Sequence, residues 1–225
     1  MYDKRLAPDM NLNLYFTQQQ YQLLQLGELA VPSGKIVAAD PLYSLPYGGT
    51  PCFCRTIPSG HYPVIISVYT HRQYGSRYLA AKLQITNREA VAFELALKGA
   101  EEASQLEEDE IFGFPVETGL GCFCDAKIQK EFRQYVENWR KTHPNANLYD
   151  DLLQKEFEKS YREKPKFQRS GGDWVNWNLP NTNHNIIMFN SGFGDGIYPC
   201  YWGFDKDREI CSLIIQFIAP EELEE

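Results

Sequence analysis

Large apolar residues occupy every second position in Val91-Ala92-Phe93-Glu94-Leu95-Ala96-Leu97-Lys98, which is the side-chain alternation of a strand. The pattern predicts a half-buried strand with Glu94 and Lys98 on its outer face. Further β-branched and aromatic runs span 35–39, 62–69, 78–85, 185–189, 198–204 and 210–218, divided by Gly, Pro, Asn and Asp. About seven strands result, and the short links between several of them favour antiparallel pairing. The last two are joined by Asp205-Lys206-Asp207-Arg208, which reads as a hairpin turn whose acids shape the turn rather than bind metal.

The helical period is confined to the middle of the chain. Ile128, Phe132, Tyr135 and Trp139 share one face, and Leu153, Phe157 and Tyr161 share another. Two amphipathic helices are predicted within about 126–163, separated at His143-Pro144-Asn145 and closed by Lys164-Pro165. A helical pair set among strands predicts an α+β fold with a mostly antiparallel sheet or sandwich-like core. At 225 residues, one domain over 1–225 is expected, with an N-terminal extension at 1–30, an acidic loop at 100–112 and an acidic tail at 219–225. Gln18 to Leu26 reads as a short helix within that extension.

The net charge of −8 is concentrated. Glu101, Glu102, Glu107, Glu108, Asp109 and Glu110 supply six acids, and Glu221, Glu222, Glu224 and Glu225 supply four. Without these ten, 20 acids face 22 bases, so the body is near neutral and offers no cationic surface for nucleic acid. The longest apolar runs are too short to cross a bilayer, and Met1 to Arg5 leads into polar residues rather than a signal-type apolar stretch. No membrane partner and a cytoplasmic location are expected.

Three groups of residues could carry chemistry. In Asn190-Ser191-Gly192-Phe193-Gly194-Asp195-Gly196-Ile197-Tyr198, alternating glycines permit left-handed backbone and close approach of another group. Ser191, Gly192, Gly194, Asp195, Gly196 and Tyr198 are the binding candidates. The stretch is neither a dinucleotide fingerprint nor a nucleophile elbow, because a strand follows where a helix is required. The second group is Glu117-Thr118-Gly119-Leu120-Gly121-Cys122-Phe123-Cys124-Asp125, where Asp125 suits a helix N-cap and Glu117 has no such local duty. Asp40, Glu117, Asp125 and Asp195 are the catalytic candidates, expected to meet where the sheet gathers its loops. The third is the pair of Cys-Phe-Cys tripeptides, whose Cys52, Cys54, Cys122 and Cys124 could bind zinc, although the usual knuckle spacing is Cys-x2-Cys and buried thiols are the expectation. Neither His61 nor His184 sits in a nucleophile–base signature, and no cofactor is expected.

At these residues the chain resembles the bacterial domain-of-unknown-function family 4241. The resemblance is carried by Gly34 to Leu42, Ser59 to Val64, Glu117 to Asp125 and above all Ser191 to Pro199, in order, over about residues 30–218. The family pattern has aspartate where Glu117 stands. The resemblance implies no activity, cofactor or partner.

Two functions remain open on sequence, beside a purely structural role in which the glycine turns serve only to close the sheet. The leading one is a non-enzymatic binding domain for another protein, in its narrowest form an immunity-type protein that blocks a toxin, because no catalytic signature is complete and the acids could steer a cationic partner. The alternative is a hydrolase or metal-dependent enzyme using carboxylates at glycine turns.

Overall fold

The computed structural model of the chain describes residues 10–47, 49–72, 75–99, 101–102 and 112–223. Among the described residues, eleven strands form two sheets. They are β1 (Gln22–Val31), β2 (Ile36–Ala39), β3 (Gly60–His71), β4 (Gly75–Gln84), β5 (Ala92–Leu95), β6 (Gly113–Val116), β7 (Leu120–Asp125), β8 (Trp174–Asn178), β9 (Asn185–Asn190), β10 (Gly196–Phe204) and β11 (Ile210–Gln216). The larger sheet runs β1-β3-β4-β11-β10-β5, with β6 on the outer half of β10, and the smaller runs β2-β7-β9-β8. Every pairing is antiparallel. The fold is α+β with a sandwich-like core.

Alternation of side chains builds three layers. Ile36, Ala38, Phe123, Ile187 and Phe189 of the small sheet face the large sheet across the main core. Their neighbours Val37, Ala39, Cys122, Cys124, Ile186 and Met188 face a second core under the helices. Strands β7 and β9 are therefore apolar on both faces, which is why β9 reads as an unbroken apolar run. The helices α2 (Ala126–Thr142) and α3 (Gln154–Glu163) cover the outer face with Ile128, Phe132, Val136 and Phe157. Both end where the sequence predicts, at His143 before Pro144 and at Lys164 before Pro165. A π-helical turn over Tyr149–Leu153 leads into α3.

Two sequence expectations fail. Among the described residues before β2, only Leu14–Thr17 is helical (α1), and Gln22–Val31 is instead the edge strand β1, so 22–31 belongs to the sheet rather than to an extension. Leu26, Leu29 and Val31 are buried against β3 while Leu23 is exposed, and the bulge at Gly27 (φ +113°) breaks the alternation that would have revealed the strand. Lys98 is the second failure. Its ammonium leaves the outer face and is buried, donating to Ala38 O at 2.9 Å over the rings of Phe53 and Phe114. The hairpin turn behaves as read: Asp205 accepts the N–H groups of Asp207 and Glu209 at 2.9 and 3.0 Å. Of the acidic stretches, Glu107, Glu108, Asp109, Glu110, Glu224 and Glu225 lie outside the described residues.

A line of aromatic contacts crosses the main core toward one end of the sandwich. Phe123 meets Phe189 at 5.7 Å between centroids, Phe189 meets Phe217 at 5.9 Å, Phe217 meets Tyr198 at 5.2 Å, and Tyr198 meets Phe114 at 6.3 Å. Such pairs contribute about 0.5–1.5 kcal/mol each beyond area burial. They fix Tyr198 and the start of β10 beneath the loops described next.

Candidate functional site

Antiparallel pairing of β2 with β7, and of β6 with β10, brings three loops to one rim: 40–47 after β2, 117–119 between β6 and β7, and 191–195 before β10. Asp40 ties the first two together. Its Oδ1 accepts the N–H groups of Leu42 and Tyr43 at 2.8 and 2.9 Å, and its Oδ2 accepts those of Glu117 and Thr118, both at 2.9 Å. The Thr118 hydroxyl lies 2.8 and 2.9 Å from the two oxygens and donates its single proton to one at a time. The carboxylate is fully buried. Five donors compensate its loss of water, as a buried charge requires.

Asp195 ties the third loop to the second by accepting the Gly119 N–H at 2.9 Å. Within the 191–196 loop, Ser191 Oγ donates to Gly194 O at 2.7 Å, and Tyr198 Oη lies 2.7 Å from both Ser191 O and Gly194 O. Burial is the main reason the Tyr198 hydroxyl is held above its ordinary pKa, which keeps this donor protonated. Gly192 adopts φ +64°, and a Cβ there would stand 2.9 Å from Ile218 Cγ1 and from Phe217 Cβ. Glycine is required at that position by backbone and by space.

Asp40, Glu117 and Asp195 are thus gathered at one rim, and Asp125 is not. It sits at the far end of β7, about 17 Å of strand away. There it accepts Lys127 N at 2.7 Å as the N-cap of α2, and also Ser33 N and Ser33 Oγ at 2.8 and 2.7 Å. Of the three gathered acids, Asp40 has its oxygens occupied by structure, while the side chains of Glu117 and Asp195 are exposed. Glu117 follows Val116, which pairs with Gly196, so Glu117 and Asp195 flank the end of the β6/β10 ladder from opposite strands.

The cysteines divide between environments. Cys122 and Cys124 are buried under the helices with Cys52 half-buried nearby, whereas Cys54 is exposed and donates to Gly99 O at 3.5 Å. Burial raises the Cys122 thiol well above its ordinary pKa, so it stays protonated and unreactive. Among the described residues, no group of three or more His, Cys, Asp or Glu side chains is placed to hold a metal ion. His184 is not a nucleophile's partner but bonds Glu131 of α2 at 2.6 Å, and His61 is exposed.

A cleft of about 370 Å³ opens beside the rim. It is lined by Thr118 and Gly119, by Asn190 to Gly194, by Ser76, Arg77 and Tyr78 at the start of β4, and by Arg169 and Asp173. Ser191, Gly192 and Gly194 line it as binding candidates, but Asp195, Gly196 and Tyr198 do not. Sequence reasoning passed over Arg77, Arg169, Asp173 and Asn190. The available signal was Arg169 four residues before Asp173 around Gly171-Gly172, a loop spacing that local periodicity does not flag.

No curated protein and no solved structure matches the chain. No helix among the described residues is long and apolar enough to cross a membrane. Residues 29–215, from within β1 to within β11, match the family described as protein of unknown function (DUF4241), and the chain belongs to that family.

Proposed function

We propose that this chain is a non-catalytic binding domain that docks a cationic protein partner on the loop rim. The observation that carries this reading is the exposure of Tyr43 on the 40–47 loop, of Phe193 on the 191–195 loop and of Ile197 just after it in β10, at 54%, 62% and 59%, at the rim that also carries the exposed side chains of Glu117 and Asp195. Exposed large apolar side chains at one rim, edged by charge, are the makings of a protein interface. Negative potential there would speed encounter with a basic surface. In its narrowest form the reading is an immunity-type protein that covers the basic face of a toxin.

The enzymatic alternative would have to rely on Glu117 and Asp195, because the oxygens of Asp40 are taken up by backbone and Thr118 donors. Affinity isolation of the native assembly at low salt separates the two readings. A basic protein retained by the wild-type chain and lost from Phe193→Ala and Glu117→Lys is the expected result. Retention of the same protein by both variants would refute docking at the rim.

A further inference from the structure

We propose that the cleft beside the rim binds the oxyanion group of a small molecule, a phosphate monoester, between Arg77 and Arg169. Its volume of about 370 Å³ suits a small ligand. Arg169 is oriented from behind: its Nε and Nη2 both lie 2.7 Å from Oδ1 of Asp173, whose side chain is only 8% exposed. Oδ2 of Asp173 accepts the Arg169 N–H at 2.6 Å, and Asn190 Nδ2 also donates to Oδ1. The guanidinium is gripped along one edge while the side chain as a whole is 73% exposed, and its Nη1 has no acceptor among the described residues. A guanidinium fixed in this way offers its remaining donors at little cost in conformational entropy.

Arg77 supplies the second cation. Its guanidinium donates to the backbone oxygen of Ser76 at 3.1 Å and makes no ion pair among the described residues. Among the described residues, Asp173 is the only acid lining the cleft and its charge is matched by Arg169, so Arg77 leaves this lining net positive. In the same lining, the N–H groups of Gly192 and Phe193 have no acceptor among the described residues, and Gly192 is locked at φ +64°. Successive amides around a left-handed residue form an anion-receiving concavity. Two guanidiniums match a charge of about −2, which favours a phosphate monoester over a single carboxylate. The exposed ring of Phe193 at the mouth offers a face to a planar substituent.

The test is calorimetric titration of the full chain with phenyl phosphate, inorganic phosphate and benzoate. Expected is saturable binding of phenyl phosphate at or below about 10 mM, tighter than inorganic phosphate and benzoate. Arg77→Gln and Arg169→Lys each weaken it by about tenfold or more, the latter because lysine keeps the charge but loses the fork. Arg55→Gln, which removes an ion pair to Glu94 remote from the cleft, leaves it unchanged. Absence of saturable binding of all three probes overturns the proposal. So does binding that survives both cleft variants, or that falls equally with Arg55→Gln. Arg77 and Arg169 take no part in docking at the rim, so failure here leaves that reading intact.

Discussion

The buried carboxylate of Asp40 accepts both the N–H and the hydroxyl of Thr118, and through these bonds the loop after β2 is fastened to the loop before β7. Asparagine at position 40 would turn one acceptor oxygen into a donor facing other donors. Asp40→Asn is expected to destabilise by about 2–4 kcal/mol, and Thr118→Val, which removes one donor, by about 1–2 kcal/mol. Urea unfolding checks both. A midpoint for Asp40→Asn within error of wild type would show that the clamp is not what holds the rim.

The rim glycines should not be equivalent. Gly192→Ala combines a left-handed φ with contacts at 2.9 Å to Ile218 and Phe217, whereas a Cβ at Gly194 (φ +111°) meets nothing within 4 Å. Gly192→Ala is expected to cost about 2–3 kcal/mol, and Gly194→Ala about 1 kcal/mol from backbone strain alone. Thermal unfolding of the two variants side by side orders them, and equal losses would contradict the steric argument.

Alkaline stability is expected to depend on the neighbours Cys200 and Lys98. Burial pushes the Cys200 thiol from its ordinary 9.0 up to about 12. The native state therefore holds a proton that the unfolded chain loses, and the stability present below pH 9 falls through the window up to about 12 at about 1.4 kcal/mol per pH unit. Burial lowers the Lys98 ammonium below 10.5, which has the opposite sign: stability rises with pH as the native amine gives up its proton before the unfolded one does. Cys200→Ala should flatten the alkaline loss, and Lys98→Met should steepen it. Denaturant midpoints measured from pH 8 to about 11 read both slopes.

Removing the exposed rim groups should separate binding from folding. Phe193→Ser and Glu117→Gln change side chains that face solvent, and each is expected to alter stability by no more than about 0.5 kcal/mol. Loss of partner binding by Phe193→Ser, together with weaker salt dependence of association in Glu117→Gln, is the outcome that docking at this rim requires. Stopped-flow association at varied salt measures the second effect.

Regular patterns in the chain were sufficient for its strands and helices wherever local sequence carried the period. The alternation in β5, the apolar run of β9, the helical stripe of Ile128 and Phe132, and the prolines after α2 and α3 all read correctly. The strand β7 was hidden because Gly121 and the cysteines imitate a loop, although both faces of that strand are buried. β1 was hidden because its polar glutamines and the bulge at Gly27 spoil the alternation, and what makes it a strand is the edge of β3, which local sequence cannot display.

Local pattern was enough to say which segments could be strands or helices, that Asp125 caps α2, and that glycine turns carry acids. Strand pairing across the fold is what puts Asp40, Glu117 and Asp195 on one rim and leaves Asp125 at the far end of β7. Strand pairing also made Asp40 a structural anchor, turned Lys98 inward and brought Arg77, Arg169 and Asp173 to the lining of one cleft. The physical reason is that periodicity and capping act between residues a few positions apart, whereas these juxtapositions are set by strand pairing between segments many tens of residues apart, where the burial of shared apolar faces fixes the register.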